Sequence, residues 1–243
     1  MIFLFTDFGA ADIYVGQVKA VLAKQAPRLR VIDLLHDAPP FNVKAGAHLL
    51  AALATRVPKG SVVLAVVDPG VGGAREPVAV LADGRWFVGP DNGLISVTAE
   101  RAKKCESFVI GWWPSHVSAS FHGRDLFAPV AAMLARGQRR AARLRKTARC
   151  AVSFGLSDFA EIIYVDHYGN AFTGIRASSV SPRERLVAGS IRIDHARVFS
   201  GVARGNVFWY ENSLGLVEIA ANSTNAAAKF GLRVGHPIAV ETA

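Results

Sequence analysis

The chain has 243 residues, of which 51% are hydrophobic and 19% charged, enough apolar material for one large domain or two smaller ones. That balance excludes a generally disordered chain, and no apolar run approaches the roughly 20 residues of a membrane span. The two cysteines, Cys105 and Cys150, make neither a zinc cluster nor a disulfide framework. Because the start of the chain has no basic leader segment, the sequence predicts a soluble cytoplasmic protein.

The formal net charge is +9, which is compatible with an anionic partner. Much of the excess lies in one basic block, which comprises Arg136, Arg139, Arg140, Arg143, Arg145, Lys146 and Arg149. Aromatic residues do not interleave with this block, as binding of single-stranded nucleic acid would require. We interpret the block as a solvated face or linker and expect neither a nucleic-acid nor a membrane partner. Nucleic-acid binding through this block nevertheless stays open as an alternative function.

Short apolar runs alternate with helical spacing in the first half of the chain. Strands are predicted at residues 2–5, 30–35 and 62–67, and a helix at residues 43–53. A second helix is predicted to start after Asp12, which stands where an N-cap belongs. The alternation predicts an α/β N-terminal domain over residues 1–148, with a mainly parallel sheet.

The second half of the chain is typical of short strands with little helix. Glycine and asparagine residues separate the strands, which predicts a small antiparallel β-barrel as the C-terminal domain, over residues 158–243. Strands are predicted at residues 162–165, 171–173, 190–193, 207–210, 216–219 and 238–241.

An acid and several glycines follow the third predicted strand. Asp68 stands at its carboxyl end, where open α/β sheets bind ligands, and Arg75 returns a positive charge to the same region. Asp-Pro-Gly is equally common as turn chemistry, so this segment alone leaves both readings open. A nucleophile elbow, a full dinucleotide fingerprint and metal-ligand spacing are all missing from the sequence.

Six motifs in a fixed order carry a family resemblance. They read TDFGAADIYVGQVKAVL, VIDLLHDAPPFNVKAGAHLL, VVDPGVGGAREPVAV, GPDNGLIS, SFHGRDLFAP and VDHYGN. Over nearly the whole chain, the sequence closely resembles the S-adenosylmethionine hydroxide adenosyltransferase (adenosylmethionine hydrolase) family, which is related to fluorinases and chlorinases. The resemblance implies hydrolysis of S-adenosylmethionine to adenosine and methionine by displacement at ribose C5′. It also implies a homotrimer with sites between subunits, and no metal or organic cofactor.

The resemblance further implies which residues form the site. Asp68, Arg75 and His122 match the catalytic set, in which Arg75 and His122 would hold the water and Asp68 would orient it. Asp7 matches an acid that binds the ribose hydroxyls, and Asp12 one that meets the methionine ammonium. The other residues implied to bind substrate are Phe41 against the sugar, Tyr168 and Phe199 around adenine, Asn170 at its edge, and Asp166, Ser213 and Glu218. Asp166 is equally suited to capping the turn that follows it.

Two other functions stay open beside hydrolysis. A non-catalytic adenosine or S-adenosylmethionine sensor would keep Asp7, Asn170 and the aromatic residues but would not need Arg75 and His122. A halogenase would need a small dry anion pocket and is not expected to keep His122 beside Arg75. One departure from the family pattern concerns adenine: Thr224 replaces a glycine of the closing motif EIAANSTNAAA.

Overall fold

A seven-stranded sheet organises the first of two units, Met1–Leu156, and the second unit begins at Ser157. The computed structural model describes residues 1–242. The first unit contains, in chain order, β1 (Ile2–Thr6), α1 (Ile13–Gln25), β2 (Val31–Leu35), α2 (Val43–Ala54), β3 (Val62–Val66), β4 (Pro77–Ala82), β5 (Arg85–Pro90), α3 (Ser96–Arg101), β6 (Cys105–Ile110), a π-helical turn (Gly123–Phe127), α4 (Ala128–Ala135) and β7 (Leu144–Thr147).

The sheet of the first unit has the strand order β2-β1-β3-β5-β4-β6-β7. β1 pairs in parallel with β2 and β3, and β3 with β5, whereas β4, β6 and β7 are joined by antiparallel pairs. β1 and β3 are apolar and fully buried, as expected for parallel strands that are covered on both faces. The α/β class is therefore confirmed, but the sheet is mixed, because a hairpin through Asp83 and Gly84 reverses the chain between β4 and β5.

The basic block forms part of the first unit. Its side chains are exposed, as predicted for a solvated face, and Leu144–Thr147 pairs with β6 as an edge strand that the sequence did not predict. An edge strand has one unpaired side and tolerates charged residues such as Arg145 and Lys146, so the pattern of buried strands is missing there.

Two antiparallel sheets build the second unit, with strand orders β11-β10-β14 and β12-β13-β9-β8. Both contribute to one apolar core, which includes Ile162, Leu186 and Trp209. The antiparallel prediction is confirmed by these two sheets. Closure of the strands into a barrel stays a prediction. The elements are β8 (Phe159–Val165), β9 (Ala171–Arg176), β10 (Arg185–Ala188), β11 (Ile191–Ile193), β12 (Val207–Glu211), β13 (Leu216–Ala221), α5 (Ala226–Phe230) and β14 (Ala239–Glu241).

The parallel pairing of β1 and β3 places two acidic residues at one edge of the sheet. Thr6 and Val66 are register partners, so Asp7 and Asp68 follow neighbouring strands at the same edge of the sheet.

None of the helices in the described residues is long and apolar enough to span a bilayer.

Candidate active site and substrate pocket

Arg75 connects an acid and an imidazole in the first unit. Its Nε lies 3.0 Å from both carboxylate oxygens of Asp68, and its Nη2 also contacts that carboxylate. The same Nη2 lies 3.1 Å from Nδ1 of His122, 47 positions later in the chain. The side chains of Arg75 and Asp68 are 10% and 4% exposed, and His122 is 5% exposed. The three residues that the sequence predicts to be catalytic therefore form one buried cluster.

The contact with Arg75 fixes the protonation of His122. A guanidinium N–H can only donate a hydrogen bond, so Nδ1 accepts it and the neutral ring carries its proton on Nε2. Burial lowers the pKa of His122 below its ordinary value, and the positive charge of Arg75 lowers it further, although Asp68 and Asp125 oppose the shift. Nη1 of Arg75 is buried and has no hydrogen-bond partner within residues 1–242. The cluster thus presents a neutral donor at Nε2 and an uncommitted cationic donor at Nη1.

Backbone contacts hold the two loops of this cluster together. Gly72 has φ +79°, and a Cβ there would lie 2.4 Å from the carbonyl oxygen of Ala119, so the Asp68–Arg75 loop runs directly against the loop that precedes His122. Asp125 accepts a hydrogen bond from the Ser118 N–H at 2.8 Å and so fixes that second loop. His122 itself stands immediately before the π-helical turn, a helix irregularity that is frequent at functional sites.

Asp7 and Asp12, which the resemblance assigns to substrate binding, and Asn92 of the GPDNGLIS motif have different surroundings in this unit. Asp7 is half-buried; burial raises its pKa and the charge of Asp68 adds to the rise, while hydrogen bonds from its own N–H and that of Phe41 oppose it. Asp12 caps α1, as predicted, by accepting from the Ile13 N–H at 2.6 Å. Asn92 donates to the Val67 carbonyl at 2.8 Å and so supports the backbone beside Asp68.

A pocket of about 830 Å³ opens in the second unit. The six residues of that unit that the resemblance assigns to substrate binding all line it: Asp166, Tyr168, Asn170, Phe199, Ser213 and Glu218. Tyr168 is 74% exposed at its rim, and Asn170 is buried. The structure therefore brings together residues that are separated by more than forty positions in sequence, and their individual roles remain predictions.

Asp166 organises the turn that carries Tyr168 and Asn170. Its carboxylate accepts from the N–H groups of both residues, at 2.9 and 2.8 Å, and from Nδ2 of Asn170 at 3.1 Å. The turn-capping reading of Asp166 is thus confirmed. Gly169 has φ +84° and packs against the Asn225 side chain, where a Cβ would lie 2.1 Å away, so this turn and the start of α5 fit only with glycine between them. Thr224 also lines the pocket.

Sequence reasoning missed two polar residues of this pocket, the half-buried Tyr210 and the buried Asn212. Tyr210 donates to Glu218 Oε1 at 2.5 Å, and Asn212 donates through Nδ2 to Glu218 Oε2 at 3.0 Å. Burial raises the pKa of Glu218, and it also raises the pKa of Tyr210. The available signal was the alternation of β12, which places Phe208 and Tyr210 on one face, where both contact the Phe199 ring.

Within residues 1–242, His, Cys, Asp and Glu side chains form no group of three or more that could hold a metal ion.

Comparison with known proteins defines the class. Residues 2–144 match the SAM hydroxide adenosyltransferase N-terminal domain, and residues 160–239 match its C-terminal domain. The chain therefore belongs to the SAM hydroxide adenosyltransferase family, as the motifs indicated.

Individual relatives refine this placement. The chain is 37% identical to the (R)-S-adenosyl-L-methionine hydrolase of Thermus thermophilus over 98% of each protein. It is 39% identical to the enzyme of the same name from Salinispora arenicola, over 97% of this chain and 95% of that one. A fluorinase from Actinoplanes is 24% identical over 100% of this chain and 98% of its own. An uncharacterised conserved protein from Thermotoga maritima has a solved structure that superposes with a TM-score of 0.88 and 31% identity, covering 99% and 100% of the two chains.

Proposed function

We propose that this chain hydrolyses S-adenosylmethionine to adenosine and methionine, with a water oxygen displacing methionine at ribose C5′. The observation that carries the proposal is the buried contact of Arg75 with both Asp68 and His122. The relatives at 37–39% identity, whose names specify S-adenosyl-L-methionine hydrolysis, support the same reaction.

The chemistry fits a site without an acid catalyst. The sulfonium sulfur leaves as a neutral thioether and keeps the electrons of the C5′–S bond, so no group has to protonate it. A bond forms between the water oxygen and C5′, and one proton of the water is released. The enzyme therefore needs chiefly an oriented and desolvated nucleophile in line with the breaking bond.

Arg75 and His122 are suited to hold that nucleophile. Nε2–H of His122 and Nη1–H of Arg75 would both donate to the water oxygen and stabilise the hydroxide character that develops as the proton leaves. Asp68 would fix the guanidinium and orient the water or the ribose edge. Arg75 stays protonated throughout, so its contribution is electrostatic.

The remaining residues would bind the substrate. Asp7 would accept from the ribose hydroxyls and Asp12 from the methionine ammonium, with Phe41 against the sugar. Adenine would stack in the pocket of the second unit, between the aromatic side chains of Tyr168 and Phe199. This displacement needs no metal ion or organic cofactor, and we expect activity to survive treatment with a chelator.

We also propose a homotrimer in which each site combines the first unit of one subunit with the second unit of its neighbour. Its support is the division of the assigned residues, since the catalytic cluster and the adenine pocket belong to different units. The test combines two impaired variants, His122→Ala and Asn170→Ala, by co-expression. After random assembly in equal amounts, shared sites would restore activity at about a quarter of all sites, whereas sites within one subunit would restore none.

Product analysis tests the reaction itself. Purified protein incubated with S-adenosylmethionine should give adenosine and methionine in equal amounts, with or without added chloride. A 5′-chloro nucleoside in the presence of chloride would assign the chain to the halogenases. Binding of adenosine without any turnover would instead support the sensor hypothesis.

A further inference from the structure

Glu218 is buried at the wall of the pocket with both carboxylate oxygens engaged. It lies on β13, directly opposite Tyr210 of β12, and is 2% exposed. Oε1 accepts from the Tyr210 hydroxyl at 2.5 Å and Oε2 from Asn212 Nδ2 at 3.0 Å. A buried carboxylate is stabilised only by such partners, so these two contacts define how Glu218 is held.

Asn212 connects Glu218 to the turn between β12 and β13 by hydrogen bonds. Its Oδ1 accepts from the N–H groups of Leu214 and Leu216, at 2.9 and 3.1 Å. The turn is closed further by the Asn212 N–H, which donates to the Leu216 carbonyl at 2.9 Å. Because Oδ1 is committed to the turn, the amide cannot rotate without losing both bonds, and Nδ2 is directed at Glu218.

Ser213 is carried on this turn. It follows Asn212 directly, is exposed, and lines the pocket. Its position therefore depends on whether the Asn212 amide keeps its orientation.

We propose that Glu218 is a positioning residue that orients Asn212, and through it the turn that presents Ser213 to the substrate, rather than a residue that binds substrate itself. This inference rests on the proposed function, since the substrate in question is S-adenosylmethionine. The Tyr210 hydroxyl donates to the other oxygen of the same carboxylate, so Glu218 also fixes the position of Tyr210.

Exchanging donor and acceptor between the two residues tests the inference. In Glu218→Gln, one of the two acceptor oxygens becomes an NH₂ group, so Asn212 Nδ2 keeps its partner only when the Tyr210 hydroxyl reverses and accepts from that NH₂ group; with Tyr210 still donating, two donors face each other at Asn212. Asn212→Asp alone places two acids together. In the double variant, the amide at position 218 donates to the acid at position 212, which still accepts from the Leu214 and Leu216 N–H groups, so every partner is restored.

We expect Glu218→Gln to raise KM for S-adenosylmethionine about tenfold, and to change kcat less than about twofold, because the cluster around Arg75 is untouched. The double variant should recover KM to within about threefold of wild type and melt at a higher temperature than either single variant. Thr173→Val is the matched control: it removes the buried hydrogen bond to the Val217 carbonyl beside Glu218 and should lower Tm while leaving KM unchanged.

Three results would overturn the inference: an unchanged KM in Glu218→Gln, no recovery in the double variant, or an equal rise of KM in Thr173→Val. If the wild-type protein turns over no S-adenosylmethionine, the proposed function fails instead. The same four variants then still decide the structural link, through the recovery of Tm and through adenosine affinity measured by calorimetry.

Discussion

Nη2 of Arg75 donates a hydrogen bond to Nδ1 of His122 across 3.1 Å, and the same guanidinium is paired with Asp68. A protonated His122 would carry hydrogen on Nδ1 and oppose this contact. The neutral imidazole is thus part of the arrangement, and its Nε2–H is the group available to a nucleophile.

The pH dependence of activity should report that neutral state. Burial and the charge of Arg75 lower the pKa of His122, so we expect kcat/KM to stay level as pH falls through 6.5 and to decline only below it. Folding stability should begin to fall as pH drops through about 6.5 and should level off below the lower pKa of folded His122, because the unfolded chain binds this proton at higher pH than the folded protein. A rate profile between pH 4.5 and 8 provides the measurement. A decline centred at or above 6.5 would contradict the assignment.

Removing the imidazole should separate catalysis from binding. We expect His122→Ala to lower kcat on the order of 100-fold, since one donor to the developing charge is lost, and to leave adenosine affinity within about twofold. Turnover by chromatography and affinity by calorimetry give the two numbers. If both fall equally, the role of His122 is structural.

The contact between the two loops of the cluster can be tested at a glycine. A Cβ on Gly72 would meet the Ala119 carbonyl oxygen at 2.4 Å with φ at +79°, so Gly72→Ala should reduce the free energy of unfolding by roughly 2 kcal/mol and reduce kcat. Gly70→Ala, in the same loop, is the control because its Cβ would meet nothing within 4 Å. Denaturant unfolding and kcat of both variants decide the matter; equal effects would show that the close approach is unimportant.

Asp7 should be a binding residue rather than a catalytic one. Asp7→Ala removes the acceptor proposed for the ribose hydroxyls, and we expect adenosine affinity to fall on the order of tenfold. Asp194→Ala, which removes an exposed acid paired with Arg185, serves as the control and should leave affinity unchanged. Unchanged affinity in Asp7→Ala would refute the ribose role.

Local patterns predicted most strands and one helix cap, because burial and capping leave direct traces in sequence. Ile2–Thr6 and Val62–Val66 are fully buried parallel strands with continuous apolar runs, and Asp12 caps its helix as expected. Leu144–Thr147 escaped prediction because an exposed edge strand can consist largely of charged residues.

The candidate site was likewise predicted only in part from the sequence. Family motifs identified Asp68, Arg75 and His122, yet no local pattern indicates that positions 75 and 122 meet, since that contact depends on how two loops pack. Tyr210 and Asn212 were missed because their importance follows from a buried partner, Glu218, on the neighbouring strand.

The most direct test of the central claim traces the oxygen. Wild-type protein and S-adenosylmethionine are incubated in water enriched in heavy oxygen, and the nucleoside product is analysed by mass spectrometry. Direct displacement by water predicts adenosine that carries the heavy isotope on its 5′-oxygen, with methionine unlabelled. Adenosine without the label, or label in methionine, would contradict an attack of solvent on C5′.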